Sequence, residues 1–354
     1  MEIIGQVLTD QNFLGAILGS FAFILIGFIL RHFNIVNKHG KEVLNILVMK
    51  VAIPCMAFCA FMSDFSSEQF LDNVLIFVFD IGFYVVSILI GNLIFLKKER
   101  DQRRIYAILM AVGQLTLFSM PILEAVYGLD SGVLIPASMM SIAFRLVVYI
   151  YAYIAVSGEK ITKKTFGPTM KRIFVNPVMI MMFLGLIIYL TQNVVFQVDV
   201  QVGTETVSYG FTRIDKTLPA LYKIFQLGNN LATPLAMLLM GITLGEANFL
   251  SAIKNRTAWI LSIGKAFIFP FLVLGVIILF QMTGVLHLSE IQTACLVIGN
   301  AAPASAVVVV FCVNYNKEAY VGSDSVMLST LLSIISMPLL FVVIKLCMTL
   351  PCFA

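Results

Sequence analysis

The sequence predicts an all-α membrane protein that crosses the bilayer ten times. Hydrophobic residues make up 60% of its 354 residues and charged residues only 12%, whereas an average soluble domain has about 25% charged residues. The apolar residues form continuous runs of membrane-spanning length, without the alternation of a transmembrane β-barrel. Most lysines and arginines lie between these runs, at positions that a ten-span topology places on one side of the membrane. Together these observations exclude a soluble protein.

Ten apolar stretches, separated by charged or turn-rich segments, are long enough to be membrane helices. They cover about residues 11–31, 42–62, 71–96, 104–127, 131–157, 173–195, 218–244, 257–281, 289–312 and 323–348. Pro121 interrupts the fourth stretch and Pro303 the ninth, and we expect both helices to break there because a mid-helix proline removes a backbone donor. The polar segment of residues 196–217 predicts a short hairpin outside the bilayer.

The distribution of basic residues predicts the orientation of the chain. Of the 23 lysines and arginines, 16 lie in loops that the ten spans place on one side; three lie on the other side, namely Arg213, Lys216 and Lys223. Cytoplasmic loops carry such an excess of positive charge. The residues before the first span include Glu2 and Asp10 and no basic residue. We therefore expect a multi-pass protein of the plasma membrane with both termini outside.

A basic cytoplasmic linker, residues 158–172, divides the chain into residues 1–157 and 173–354, each with five predicted spans. Because five is odd, two such repeats must be inserted in opposite orientations. Weak self-similarity supports a repeat, since Ala52-Ile53-Pro54 resembles Ala232-Thr233-Pro234 at the corresponding position of the second half. Inverted repeats are typical of secondary transporters.

Polar side chains surround both predicted proline breaks. The candidates for substrate contact among them are Gln114, Ser119, Asn300 and Ser305. A broken backbone is tolerated at membrane depth only where protein or a watery cavity covers it, and the N-terminus of a half-helix carries positive partial charge. The matched breaks therefore predict an anion site at the centre of the bilayer. The alternative is a pair of ordinary proline kinks without a ligand.

Several charged residues fall within predicted spans, where a charge at the helix centre costs at least about 2.5–3.5 kcal/mol. Arg145 and Lys265 are candidates for binding a substrate carboxylate, which a guanidinium binds through two hydrogen bonds. Asp80 and Glu124 are candidates for taking up a coupling proton or sodium ion. Alignment of the two halves places Asp80 near Lys265. The alternative for all four is a buried ion pair that only fixes packing.

Four motifs resemble the auxin efflux carrier family, which includes plant PIN-type carriers and bacterial malate or malonate permeases. They are Asn176-Pro177, Pro234 to Gly245, Ala302-Pro303-Ala304 and Leu328 to Pro338. The resemblance implies two inverted five-helix repeats whose fourth and ninth helices cross, and an elevator-type mechanism with scaffold helices 1, 2, 6 and 7 and transport helices 3–5 and 8–10. It also implies a homodimer. The first crossover departs from many relatives, since Gln114, Ser119 and Met120 stand where they carry asparagine and glycine, and this argues against auxin as the substrate.

These features favour a secondary active transporter of a small organic anion, such as a mono- or dicarboxylate, driven by an ion gradient or by the substrate's own gradient. The sequence has no P-loop for ATP and no HExxH motif, and Gly128-Leu129-Asp130 is a poor protease signal at a span end. We therefore expect no enzymatic activity and no cofactor. No cysteine or histidine spacing predicts a metal site, and the basic loops do not indicate a nucleic-acid partner. The alternative function is a transporter-like sensor that binds a small ligand without moving it.

Overall fold

The computed structural model describes residues 11–158, 167–168, 170–171, 174–202, 205–246, 249–284 and 287–353. These residues are mostly helical, and seven helices among them are long and apolar enough to cross a membrane. The chain is therefore a multi-pass helical membrane protein, as the composition predicts. Glu2, Asp10 and most of the linker at 158–172 lie outside the described residues.

The seven long helices are accompanied by five shorter ones in the described part of the chain. In chain order the helices are α1 (Gln11–His32), α2 (Lys38–Cys59), α3 (Ser67–Ile94), α4 (Arg100–Ala111), α5 (Leu115–Tyr127), α6 (Leu134–Ser157), α7 (Pro177–Thr191), α8 (Pro219–Gly245), α9 (Arg256–Met282), α10 (Glu290–Asn300), α11 (Ala306–Asn314) and α12 (Ala319–Cys347). The long spans are α1, α2, α3, α6, α8, α9 and α12. Short helical turns occupy Leu129–Ser131, Ile214–Thr217, Phe249–Lys254 and Pro351–Phe353.

The hairpin predicted between the sixth and seventh apolar stretches is confirmed. Strands β1 (Gln197–Val202) and β2 (Glu205–Gly210) pair in antiparallel register, from Gln197 opposite Gly210 to Val202 opposite Glu205. The hairpin is the one sheet in the described part of the chain.

The fourth and ninth apolar stretches are each split into two helices. The ninth separates into α10 and α11 around Pro303, as predicted. The prediction that Pro121 breaks the fourth stretch is wrong in position, because α4 ends at Ala111 and the backbone is extended at Val112. Pro121 lies further along, near the start of the regular part of α5.

The helices accommodate Pro121 and two other prolines by widening locally. Each of three π-helical turns ends two residues before a proline: Val48–Ala52 before Pro54, Leu115–Ser119 before Pro121, and Gly264–Ile268 before Pro270. A proline cannot donate a backbone hydrogen bond, and its ring collides with the carbonyl four residues earlier. A wider π turn at that point lets the helix continue past the proline.

The helices pack in two groups. Helix α1 packs against α8, and glycines at 27 and 241 permit the contact, because a Cβ on either would collide with the main chain of the other helix. Helix α2 packs against α7 and α8. The second group contains α3, α4, α6, α9, α10, α11 and α12, which contact one another. Helix α5 reaches across from the second group to α1 and α8.

Ion pairs join the loops at opposite ends of the helices. At one end, named here the Glu246 end, Glu246 pairs with Arg31 at 3.2 Å and with Lys41 at 2.5 Å. At the other, named the hairpin end, Arg213 follows the hairpin and pairs with Asp64, which precedes α3, at 2.9 Å.

Candidate functional site

The two helix breaks cross and bond to each other through the main chain. Gly113 and Ala304 form an isolated antiparallel bridge. The Gln114 amide donates to the Pro303 carbonyl at 2.7 Å, and the Ser305 amide donates to the Val112 carbonyl at 3.1 Å. These bonds satisfy backbone groups that lose their helical partners at the breaks, as an apolar surrounding requires.

Gly113 permits this close crossing. A Cβ at position 113 would stand 2.8 Å from both the Cβ and the carbonyl oxygen of Ala302, and 2.9 Å from the Lys265 side chain. Contacts this short are not tolerated without movement of the backbone. The position of the first break therefore follows from a glycine that lets two chains approach, and not from the proline that follows it.

Lys265 stabilises the first break by a hydrogen bond to the end of α4. It is almost completely buried in the π turn of α9, and its Nζ donates to the carbonyl of Ala111 at 2.7 Å. Ala111 is the last residue of α4, where the final carbonyls of a helix lack partners within it. A cation at this position also interacts favourably with the negative end of the helix dipole.

Asp80 stands beside the second break. It is fully buried in α3, and the side-chain amide of Asn300, the last residue of α10, donates to Asp80 Oδ1 and to the Leu296 carbonyl, both at 3.0 Å. Asp80 Oδ2 and Asn300 Oδ1 have no protein partner. The charge of Lys265 acts on Asp80, but each residue makes its hydrogen bond to a different break.

A small cavity beside the crossing is lined by Arg145, another buried cation. This Arg145 cavity has a volume of about 60 Å³. Its polar lining comes from Arg145, Gln114, Thr116, Tyr149 and Ser305, and the start of α11 at Ala306 completes the wall. Arg145 Nε and Nη2, Gln114 Oε1 and Ser305 Oγ are buried without a protein partner. Guanidinium donors, a hydroxyl and a helix N-terminus facing one cavity form an arrangement that suits an anion.

The Arg145 cavity adjoins a larger one that leads to the Glu246 end. The larger cavity has a volume of about 350 Å³ and shares Gln114, Leu117 and Ala306 with the smaller. Its outer part is lined by Lys38, Lys41 and Glu246 among others.

Two of the predicted site residues lie elsewhere. The hydroxyl of Ser119 donates to the Ile298 carbonyl at 2.8 Å and joins α5 to α10. Glu124 lies on the hairpin-end half of α5, where it accepts hydrogen bonds from Asn229 at 2.9 Å and Thr233 at 2.6 Å, both on α8. The sequence analysis missed Asn229 and Thr233, although their spacing of four places two polar side chains on one helix face.

The sequence analysis also missed Thr116, whose hydroxyl is within 3.2 Å of the Ser141 hydroxyl beside the Arg145 cavity. Within the described residues, no three histidine, cysteine, aspartate or glutamate side chains lie close enough to hold a metal ion.

A family model described as a membrane transport protein, the auxin efflux carrier family domain, matches residues 13–341. The match runs from the start of α1 into α12 and so includes both helix breaks. No curated protein matches the chain.

Proposed function

Because the chain belongs to the auxin efflux carrier family of membrane transport proteins, we propose that it is a secondary active transporter of a small organic anion. The observation that carries this proposal is the Arg145 cavity, where a buried guanidinium without an ion-pair partner faces a helix N-terminus at the crossing of two broken helices. The substrate class is a mono- or dicarboxylate.

The anion assignment follows from the cost of burying Arg145. Arg145 is only 3% exposed, and no carboxylate pairs with it in the described part of the chain. A buried cation with unused donors is expensive until an anion neutralises it. The volume of about 60 Å³ suits a single carboxylate group, so the rest of the substrate extends into the larger cavity.

The helices support a ten-span topology. The seven long spans, the two split helices and the short apolar helix α7 supply ten crossings in chain order. Helices α1, α2, α7 and α8 form the scaffold, and the others form the transport unit. The two units are built from inverted repeats, each of which contributes one broken helix.

Access to the site is from one end. The larger cavity leads to the Glu246 end, which the excess of basic loop residues assigns to the cytoplasm. On the hairpin-end side, the hydrogen bonds from Asn229 and Thr233 to Glu124 tie α5 of the transport unit to α8 of the scaffold. Alternating access by an elevator motion requires these bonds to break when the site opens to the outside.

Asp80 is the proposed coupling group. Its Oδ2 has no protein partner, and it bonds through Asn300 to one break while Lys265 bonds to the other. A proton or a sodium ion at Asp80 changes the charge balance at the crossing, to which Gln114 and Ser305 of the Arg145 cavity also belong. The ion at Asp80 and the anion in the Arg145 cavity therefore both act on the backbone of the crossing.

The test is uptake of radiolabelled malonate and, separately, propionate into proteoliposomes that contain the purified protein. We expect saturable uptake of at least one probe, loss of uptake in Arg145→Met, and partial activity in Arg145→Lys, which keeps the charge but not the planar fork. Arg100→Gln, which removes an exposed arginine outside the cavity, is the matched control and should transport normally.

Three further variants examine the crossing. Lys265→Ala and Asn300→Ala should reduce uptake, and Asp80→Asn should remove its dependence on the ion gradient. Saturable binding of a probe without flux under any gradient would support the sensor function instead. Unchanged uptake in Arg145→Met would overturn the anion assignment.

A further inference from the structure

We propose that a file of buried polar side chains between α3 and α10 admits water and protons to Asp80 from the hairpin end. The functional consequence rests on the proposed coupling role of Asp80. The file itself is a structural claim about water access, and it is tested below without measuring transport.

The file begins at a cavity of about 610 Å³ at the hairpin end. Its lining includes Asn73 of α3, Pro136 of α6 and Gln292 of α10. Each of the three helices begins at this end and extends away from it, and each packs against the other two. The cavity is therefore the mouth of the space between them.

One hydroxyl continues inward from this mouth, that of Thr293, which follows Gln292 directly. Its side chain is 0% exposed, and Thr293 Oγ1 has no protein partner. A buried hydroxyl without a partner costs about 1–3 kcal/mol, and in a polar site water commonly removes that cost.

The file ends at Asp80 and Asn300. Asn73 precedes Asp80 by seven residues, and Thr293 precedes Asn300 by seven, so on each helix the two residues share a face about 10 Å apart. At the inner end, Asp80 Oδ2 and Asn300 Oδ1 are again without protein partners. Three unpartnered polar atoms, on Thr293, Asp80 and Asn300, therefore lie between the hairpin-end cavity and the crossing.

The titratable groups that face Asp80 are Lys265 of α9 and Tyr84, one turn along α3. Neither lies on the route from the hairpin end. The Arg145 cavity meanwhile adjoins the cavity that leads to the opposite end. Protons and the anion thus reach the crossing from opposite ends of the molecule in this conformation.

Cysteine accessibility tests the file directly. In a full-length background with the six native cysteines replaced, Thr293→Cys and Asn300→Cys are exposed to Ag⁺ from the hairpin end of the reconstituted protein. Thiols still free are then counted with a maleimide after denaturation. The matched control is Ala294→Cys, because Ala294 is equally buried and next in the chain but faces another direction.

We expect Ag⁺ to modify the cysteine at 293 at least about tenfold faster than the one at 294, since thiol reactivity follows access to solvent. Equal rates, or no reaction at either position, would overturn the file, whatever uptake assays show. If Thr293→Cys does not fold, as judged by its gel-filtration profile, Asn300→Cys at the inner end of the file decides the same question. A protein that transports nothing but shows rapid labelling at 293 would retain the file and lose the proposed function.

Discussion

Two arginines, Arg145 and Arg213, are both almost completely buried, yet their surroundings are opposite. Arg213 is 1% exposed and makes two hydrogen bonds of 2.8 Å to Asp215, one of 2.9 Å to Asp64 and one of 3.1 Å to the Ser63 carbonyl. Arg145 is 3% exposed and has two buried nitrogens without any protein partner.

The difference separates a charge with a structural role from the charge that we propose binds the anion. Burial lowers the pKa of Arg213, but its hydrogen bonds and its attraction to Asp215 and Asp64 outweigh this and hold that pKa above its ordinary value. Arg213 therefore joins the hairpin to the start of α3, and two carboxylates balance its charge. In the proposed function, an anion in the cavity supplies the charge partner that Arg145 lacks.

The largest expected effect is on the stability of Arg213 variants. Arg213→Met leaves the buried Asp215 carboxylate unpaired, and breaking a buried pair in this way typically costs about 3–5 kcal/mol. Thermal unfolding in detergent should show a large fall in melting temperature. Arg145→Met is the control and should leave the melting temperature unchanged or raise it, because the charge it removes has no partner. A large fall in Arg145→Met would show that Arg145 is structural too.

Anion binding gives the next largest effect. A ligand that binds only the folded state at 100 times its Kd stabilises it by about 2.7 kcal/mol. Malonate or propionate, whichever is taken up, should therefore raise the melting temperature of the unmodified protein and of Arg100→Gln. It should leave Arg145→Met unchanged. An equal rise in Arg145→Met would place the anion elsewhere.

The sequence predicted the positions of the helices well, because each depends on local composition. The apolar stretches coincide with helices to within a few residues, seven of those helices are long and apolar enough to cross a membrane, and Pro303 does lie in a break. The first break was misplaced because its cause is a close contact between Gly113 and Ala302, residues from different halves of the chain. The role of Arg213 was also missed, since Asp64 is far away in sequence.

Part of the candidate site could also be predicted from the sequence. Gln114, Ser305 and Arg145 line one cavity, because two breaks that cross bring the residues around them together. Ser119 bonds to α10 instead, and it lies in the π turn Leu115–Ser119, which departs from the regular helical register. Which face a residue takes after such a turn depends on tertiary packing and cannot be judged from the sequence.

Two serines, Ser119 and Ser305, show the same contrast between a partnered and an unpartnered group, with smaller expected effects. Ser119 donates to the Ile298 carbonyl, whereas the Ser305 hydroxyl has no protein partner. Ser119→Ala should lower the free energy of unfolding by about 1 kcal/mol, the usual contribution of such a bond, with the KM for uptake unchanged. Ser305→Ala should leave the melting temperature unchanged and raise the KM. The reverse pattern would contradict the division between structural and ligand-binding groups.

The smallest effect is expected from an exposed pair, Asp101 and Lys317, at the Glu246 end. Their side chains meet at 3.0 Å, and the hydrogen bond and charge of Lys317 lower the pKa of Asp101. Because the pKa is lower in the folded state, the pair stabilises the protein at neutral pH, and this contribution is lost as the pH falls through the folded-state pKa. The contribution should be below about 1 kcal/mol, since an exposed pair is screened by water and salt.

Melting temperatures of Asp101→Asn and the unmodified protein test this dependence on pH. The small difference at neutral pH should disappear in strong acid and also in high salt, which screens exposed charges. The loss caused by Arg213→Met should persist in high salt, because its partner Asp215 is buried. If salt removed both differences equally, burial would not be what distinguishes the two pairs, and the contrast between Arg213 and Arg145 would lose its physical basis.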